Sequence, residues 1–185
     1  VKYYVHDRIK IYNEDGMDLA DQIISFYKVR NGTKSERVID LEAYTFNMEG
    51  GEVVKKKLQK KDIFEEELSK NYSAVKFAMP AIKAGSVLEI KYTLVSPYYF
   101  RMDEFYFQKD VPVKYTEYKA STPEYYNYNF NVKGLVDLKV KEDKGQGRIN
   151  YTTTSNSSTH IQVRKNTQFR TLTFTKNIKI YSASD

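Results

Sequence analysis

Side chains able to do chemistry at neutral pH are sparse in this 185-residue chain. Its histidines are His6 and His160, and it has no cysteine. The missing cysteine removes thiol nucleophiles, thiolate metal sites and disulfides from these residues. In an extended segment, His6-Asp7-Arg8 puts His6 and Arg8 on one face and Asp7 on the other. A serine nucleophile would need a strained G-x-S-x-G elbow, and none is present. Both histidines therefore read as strand residues facing solvent.

Metal and phosphate signatures fail as well. There is no H-E-x-x-H and no cysteine/histidine cluster. Asn13, Asp15 and Asp18 surround Gly16, but their order does not fit an EF-hand loop, so an ordinary turn is expected. Glu65-Glu66 and Asp103-Glu104 read as solvated neighbours, whereas a glycosidase pair must face each other across a gap. Gly145-Gln146-Gly147 is too short to cradle a phosphate and precedes a strand, not a helix. No catalytic residue, cofactor or metal site is assigned, and the chain is not expected to be an enzyme by itself.

Aromatic clusters carry more information. Aromatics make up 15% of the chain, almost all of it in 17 Tyr and 10 Phe, with no Trp. Tyrosine joins a large apolar area to a polar tip, which suits a sugar- or peptide-binding surface. Clusters occur at Tyr98-Tyr99-Phe100, Phe105-Tyr106-Phe107 and Tyr125-Tyr126-Tyr128. The candidate interaction surface is Tyr98, Tyr99, Phe100, Tyr125, Tyr126 and Tyr128. The competing reading is that aromatic strands serve core packing.

Net charge is +6, from 30 basic and 24 acidic residues. The densest basic run, Lys55-Lys56-Lys57 with Lys60 and Lys61, is followed at once by Glu65-Glu66-Glu67. Acids interleave along the whole chain, which argues against a nucleic-acid partner and for a solvated lysine-rich surface. No signal peptide and no apolar run of membrane-spanning length is present. Val1 opens directly in a strand-like pattern and Ser184-Asp185 follow another, so both ends read as cuts through a longer polypeptide.

The elements that must position these residues are mostly strands. Over residues 1–12, Tyr3, Val5, Ile9 and Ile11 share one face while Lys2, His6, Arg8 and Lys10 take the other. Asn13-Glu14-Asp15-Gly16 reads as a turn, Ile23–Tyr27 as a strand, and Asn31-Gly32 as a second turn. Val38–Met48 and Val53–Leu58 flank Glu49-Gly50-Gly51-Glu52, a hairpin signal because a tight turn needs positive φ. Apolar parity switches near Ala43-Tyr44, which predicts a β-bulge there or a strand covered on both faces. Asp62 and Glu65 resemble a capping box, and they predict one short helix over 62–70. Strands are further predicted at 75–80, 87–96, 104–108, 113–120, 128–133, 135–142, 147–154, 159–165 and 169–181, with a hairpin turn at Gly145–Gly147. The last has Leu172, Phe174, Ile178 and Ile180 on one face. This pattern lacks βαβ spacing and predicts an all-β fold: one large antiparallel β-sandwich or open barrel spanning 1–185.

Specific runs also resemble a known family. They are Leu41–Val54, Lys57-Leu58 with Lys61-Asp62-Ile63-Phe64, Lys76–Pro80, Gly85–Pro97 and Phe107-Gln108 with Asp110-Val111-Pro112. Together they resemble a domain of unknown function found in exported Bacteroidetes proteins, where it precedes a transglutaminase-like (papain-fold) domain. The likeness covers residues 1–130 best, and Tyr181–Asp185 sits where a linker into the next domain would begin. It implies a periplasmic or surface-exposed β-sandwich, and it carries over no catalytic residue. It also implies a further strand before Val1, whose absence would leave a sheet edge open. The leading expectation is a non-catalytic accessory domain that packs on or positions a downstream transglutaminase-like domain. The alternative is an independent module that binds envelope glycan or peptide through its Tyr-rich segments.

Overall fold

A computed structural model describes residues 1–29, 35–100, 102–126, 128–133, 138–155 and 159–177, and side chains for all of these except 150–155 and 159–163. The predicted turn at Asn31-Gly32, the side chain of His160, and Ile178, Ile180 and Tyr181–Asp185 lie outside the described residues. Among the described residues every sheet is antiparallel and none closes into a barrel. No helix there is long and apolar enough to cross a membrane. The chain divides into two units, Val1–Met102 and Asp103–Asp185.

The first unit holds seven strands: β1 (Lys2–Lys10), β2 (Asp21–Tyr27), β3 (Arg37–Glu49), β4 (Glu52–Lys57), β5 (Ile63–Ser69), β6 (Tyr72–Ala78) and β7 (Val87–Val95). They form two sheets, β1-β7-β3-β4 and β2-β6-β5. Each sheet is apolar on one face, and a sandwich results when the two apolar faces meet. Ile24, Phe26, Val75 and Phe77 from the smaller sheet pack in one core with Ala43, Leu88 and Ile90 from the larger. β1 alternates half-buried and exposed residues along its whole length, as its sequence predicts. Gly50 and Gly51, at φ 59° and 87°, form the two-residue turn between β3 and β4, with Glu49 opposite Glu52.

Three local predictions are corrected. The helix expected over 62–70 is strand β5, preceded by a single 3-10 turn at Lys60–Asp62. So short a segment gains little from helix nucleation, whereas β6 offers it a backbone ladder. The β5 carboxylates then reach lysines, Glu65 to Lys28 just past the end of β2 and Glu66 to Lys76 on β6. The turn expected at Asn13–Gly16 begins a longer 3-10 segment, Glu14–Ala20. The bulge of β3 falls between Ile39 and Glu42, with Asp40 at φ 55°, ahead of the parity switch. The switch itself reflects the other alternative, a strand covered on both faces: Tyr44 and Phe46 are half-buried on the outer face, where Lys55 lies 3.7 Å and 5.3 Å from their ring centres.

The second unit is a three-stranded sheet, β8 (Tyr115–Pro123), β9 (Lys139–Ser155) and β10 (Thr159–Asn177), with β10 in the centre. Residues 104–108 and 128–133, expected as strands, are irregular. The predicted hairpin at Gly145–Gly147 is instead continuous strand within β9. An added Cβ at Gly147 would lie 2.4 Å from the Phe169 ring, so Gly147 makes room for an aromatic ring over the backbone.

Candidate interaction face

In the first unit, the outer face of the β2-β6-β5 sheet is unusually apolar. Register sets Ile23, Lys76 and Phe64 in one row and Tyr27 opposite Tyr72 in another. Ile23 and Phe64 are 61% and 63% exposed, and a Lys76–Glu66 ion pair of 2.6 Å lies between the rows. The segment after β7 extends this face. Buried Ser96 accepts a 3.2 Å hydrogen bond from the Tyr98 amide through its hydroxyl, which fixes the turn into the aromatic run. The Tyr98 ring then meets Tyr27 edge-on at 5.6 Å, and Tyr27 meets Tyr72 at 5.5 Å. Phe100 continues the ladder against Tyr98 and Tyr99, at 5.9 and 6.2 Å. Edge-to-face contacts of this kind fix the rings relative to one another, with Tyr27 and Tyr98 half-buried and Tyr72 and Phe100 exposed. Burial, followed by the neighbouring Tyr27 and Glu36, raises the Tyr98 hydroxyl above its ordinary range.

Tyr98, Tyr99 and Phe100 were legible as a cluster, while Tyr27, Tyr72, Ile23 and Phe64 join them only through strand pairing. Phe100 is 73% exposed. Contiguous exposed apolar side chains on a sheet face mark a surface that meets another body.

The second unit sorts its aromatics differently. Phe105 packs on Phe107 and Tyr118, and Phe130 and Tyr118 pack on buried Phe174. That cluster serves the core. Tyr125 and Tyr126 stay on the surface with ring centres 4.8 Å apart, and Tyr128 lies 6.0 Å from Tyr126. Tyr128 also lines an open cleft of about 550 Å³ with Phe130, Val140 and Leu172, where Arg170 makes a two-pronged pair with Glu142.

His6 Nε2 is 2.9 Å from Glu89, and Arg8 and Lys91 approach the same carboxylate oxygen at 3.7 and 3.2 Å. Asn13 donates to Asp15 within its own loop. Among the described residues no group of histidine, aspartate or glutamate has the geometry to hold a metal.

Glu89 supplies a pH test. Burial opposes its charged form, but hydrogen bonds from His6 and Lys91, with Lys91 and Arg8 charge nearby, outweigh it and hold the carboxyl below its ordinary 4.5. A depressed folded-state value stabilises the fold above the unfolded value and loses that contribution as pH falls through the folded one. Glu89→Gln is therefore expected to lower stability at neutral pH, with its deficit shrinking on acidification below 4.5. Urea midpoints across that range check it, and a deficit independent of pH would count against the ion cluster.

A family model described as a domain of unknown function with a solved structure, DUF3857, matches residues 1–162. No curated protein matches the chain. The backbone is similar to the crystal structure of a candidate protease from Parabacteroides distasonis, with a TM-score of 0.57 and 13% identity. The alignment covers 99% of this chain and 33% of that one, so the chain spans about a third of the structure it resembles. At this identity the likeness is one of fold.

Proposed function

The chain belongs to the DUF3857 family of domains of unknown function, and on that premise we propose that it is a non-catalytic accessory domain. In this reading it packs on and positions a transglutaminase-like catalytic domain of the same polypeptide, in a protein of the periplasm or cell surface. The observation that carries the proposal is the aromatic ladder Tyr72–Tyr27–Tyr98–Phe100 on the outer sheet face, exposed at Tyr72 and Phe100. An accessory domain needs such a face, because inter-domain contacts are apolar at their centre. A fold-related protein about three times as long supports the reading by analogy alone.

The test is hydroxyl-radical footprinting of the isolated 185-residue chain against the full-length polypeptide. Tyr72, Tyr98 and Phe100 are expected to be protected in the longer protein, and Tyr98→Ala with Phe100→Ala to remove the protection and loosen the following domain to proteolysis. Equal labelling in both forms, or a reading frame with no papain-like cysteine and histidine downstream, would sink the proposal.

The cleft beside Tyr128 favours a second reading, a glycan- or peptide-binding module. It brings the Tyr128 ring together with the charged groups of Arg170 and Glu142 in one open cleft. Protection of Tyr125, Tyr126 and Tyr128 by an envelope polysaccharide or peptide would support that reading over the first.

A further inference from the structure

We propose that the outer face of the four-stranded sheet β1-β7-β3-β4 binds an acidic polysaccharide, one that carries carboxylate or sulfate groups along its sugars. Basic and acidic residues interleave along the sequence, but strand geometry sorts them. In β1 the period of two puts Lys2, His6, Arg8 and Lys10 on the outer face and turns Asp7 inward. Register carries that face across the sheet. His6 lies opposite Lys91 on β7, which lies opposite Glu42 on β3, and Val95 lies between Lys2 and Arg37. On β4, Lys55 and Lys57 stand opposite Phe46 and Tyr44. The outer positions thus hold seven lysines and arginines, besides His6, against the two carboxylates Glu42 and Glu89, an excess of five. With Asp40 of the β3 bulge counted, the excess is still four. The whole chain carries +6, so one sheet face holds most of its net charge.

The acids on this face are already engaged. Glu89, its side chain 12% exposed, is shared by His6, Arg8 and Lys91, and Glu42 pairs with Lys57 at 3.6 Å. Among the described residues Lys2, Lys10, Arg37 and Lys55 have no acidic partner, and all four are exposed. Neighbouring strands lie about 4.8 Å apart, and alternate residues of one strand about 7 Å. Cations at these spacings form a grid that an extended polymer with repeated anionic groups can follow, and clustered charge of one sign draws such a polymer in. A strand added at either edge would widen this face without covering it. It is also the side of the sandwich opposite the Tyr72–Tyr27–Tyr98 ladder, so a domain docked on that ladder leaves it accessible.

Three features select a polysaccharide over other anionic partners. Single-stranded nucleic acid needs a series of rings for its bases to stack on. Here Tyr44 and Phe46 are half-buried, Lys55 caps the Tyr44 ring at 3.7 Å, and of the outer-face rings Tyr4 alone stays open. Protein interfaces are depleted of charge at their centre, whereas the centre of this face is Glu89 ringed by His6, Arg8 and Lys91. An anionic membrane would have to meet Glu49 and Glu52 at the tip of the β3–β4 hairpin.

Fluorescence anisotropy of the 185-residue chain with labelled polygalacturonate and labelled heparin tests this. Both are expected to bind and labelled dextran, which is neutral, is not. Affinity should fall linearly with salt on logarithmic axes as counterions are displaced. Lys2→Gln, Lys10→Gln, Arg37→Gln and Lys55→Gln together should weaken binding by about tenfold or more and leave the urea midpoint unchanged. Lys114→Gln, Lys119→Gln, Lys133→Gln and Lys139→Gln remove the same charge from exposed positions of the second unit and should weaken it by less than about threefold. In the unaltered chain, heparin should protect Tyr4 from hydroxyl radicals. Equal losses in the two variants overturn the proposal, because binding would then follow net charge and not this face. So does failure of both polysaccharides to bind, unchanged labelling of Tyr4, or tighter binding of single-stranded DNA or of phosphatidylglycerol vesicles.

Discussion

Replacing Leu88 with alanine is expected to destabilise the first unit by about 2–5 kcal/mol, the range for emptying a well-packed aliphatic site. Leu88 lies on β7, the second strand of the larger sheet, and is 0% exposed. It packs in the cluster with Ile24, Phe26, Val75 and Phe77 of the facing sheet, so its removal opens a cavity between two sheets. Neither sheet can close that gap without breaking register with its neighbours. Urea unfolding followed by amide exchange checks the prediction, because exchange reports β1, β3 and β7 separately from β8–β10. Protection should fall throughout the first unit and stay unchanged in the second. A loss below about 1 kcal/mol would mean that the site collapses freely and is not a packed core.

Asn47→Ala is the second large effect, about 2–4 kcal/mol, and it acts through hydrogen bonds more than volume. Asn47 is buried on β3, where its Nδ2 donates to the Ala81 carbonyl at 2.7 Å. Its Oδ1 accepts from the Ser86 hydroxyl at 2.5 Å, and the Ser86 oxygen accepts from the Lys83 amide at 2.9 Å. This chain of bonds pins the connection from β6 to β7, including Ala81 at φ 51°, which a non-glycine residue adopts only at a cost. Truncating Asn47 leaves the buried Ser86 O–H without an acceptor, worth about 1–3 kcal/mol, and removes the side-chain donor to the Ala81 carbonyl as well. Ser86→Ala should cost less, and the double variant should fall short of the sum by about 1 kcal/mol, because one shared bond is lost only once. Strict additivity would show that the three groups do not act as a network.

Features set by a few neighbouring residues could be read directly from the chain. Gly50-Gly51 specifies its own turn, since positive φ is costly for other residues. Tyr3, Val5, Ile9 and Ile11 specify the buried side of β1 through period-2 alternation alone. The all-β class followed from many such segments. What misled was local signal with a non-local cause. Asp62 and Glu65 look like a helix cap, yet Ile63–Ser69 bonds to β6 because that edge was available. Tyr44 and Phe46 left a bulge and a strand covered on both faces as alternatives, and the lysine on β4 that covers them decides for the second. Gly145 and Gly147 looked like a turn, and one of them instead makes room for Phe169 from the paired strand.

The same division applies to the interaction face. Sequence alone determined that Tyr98, Tyr99 and Phe100 form an aromatic run. Only the tertiary structure decided that Tyr27 and Tyr72, each far from residue 98 in sequence, stack with that run on one sheet face. Strand order and sheet membership decide which distant residues meet, and both are settled by the packing of whole faces. No short stretch of the chain encodes that packing.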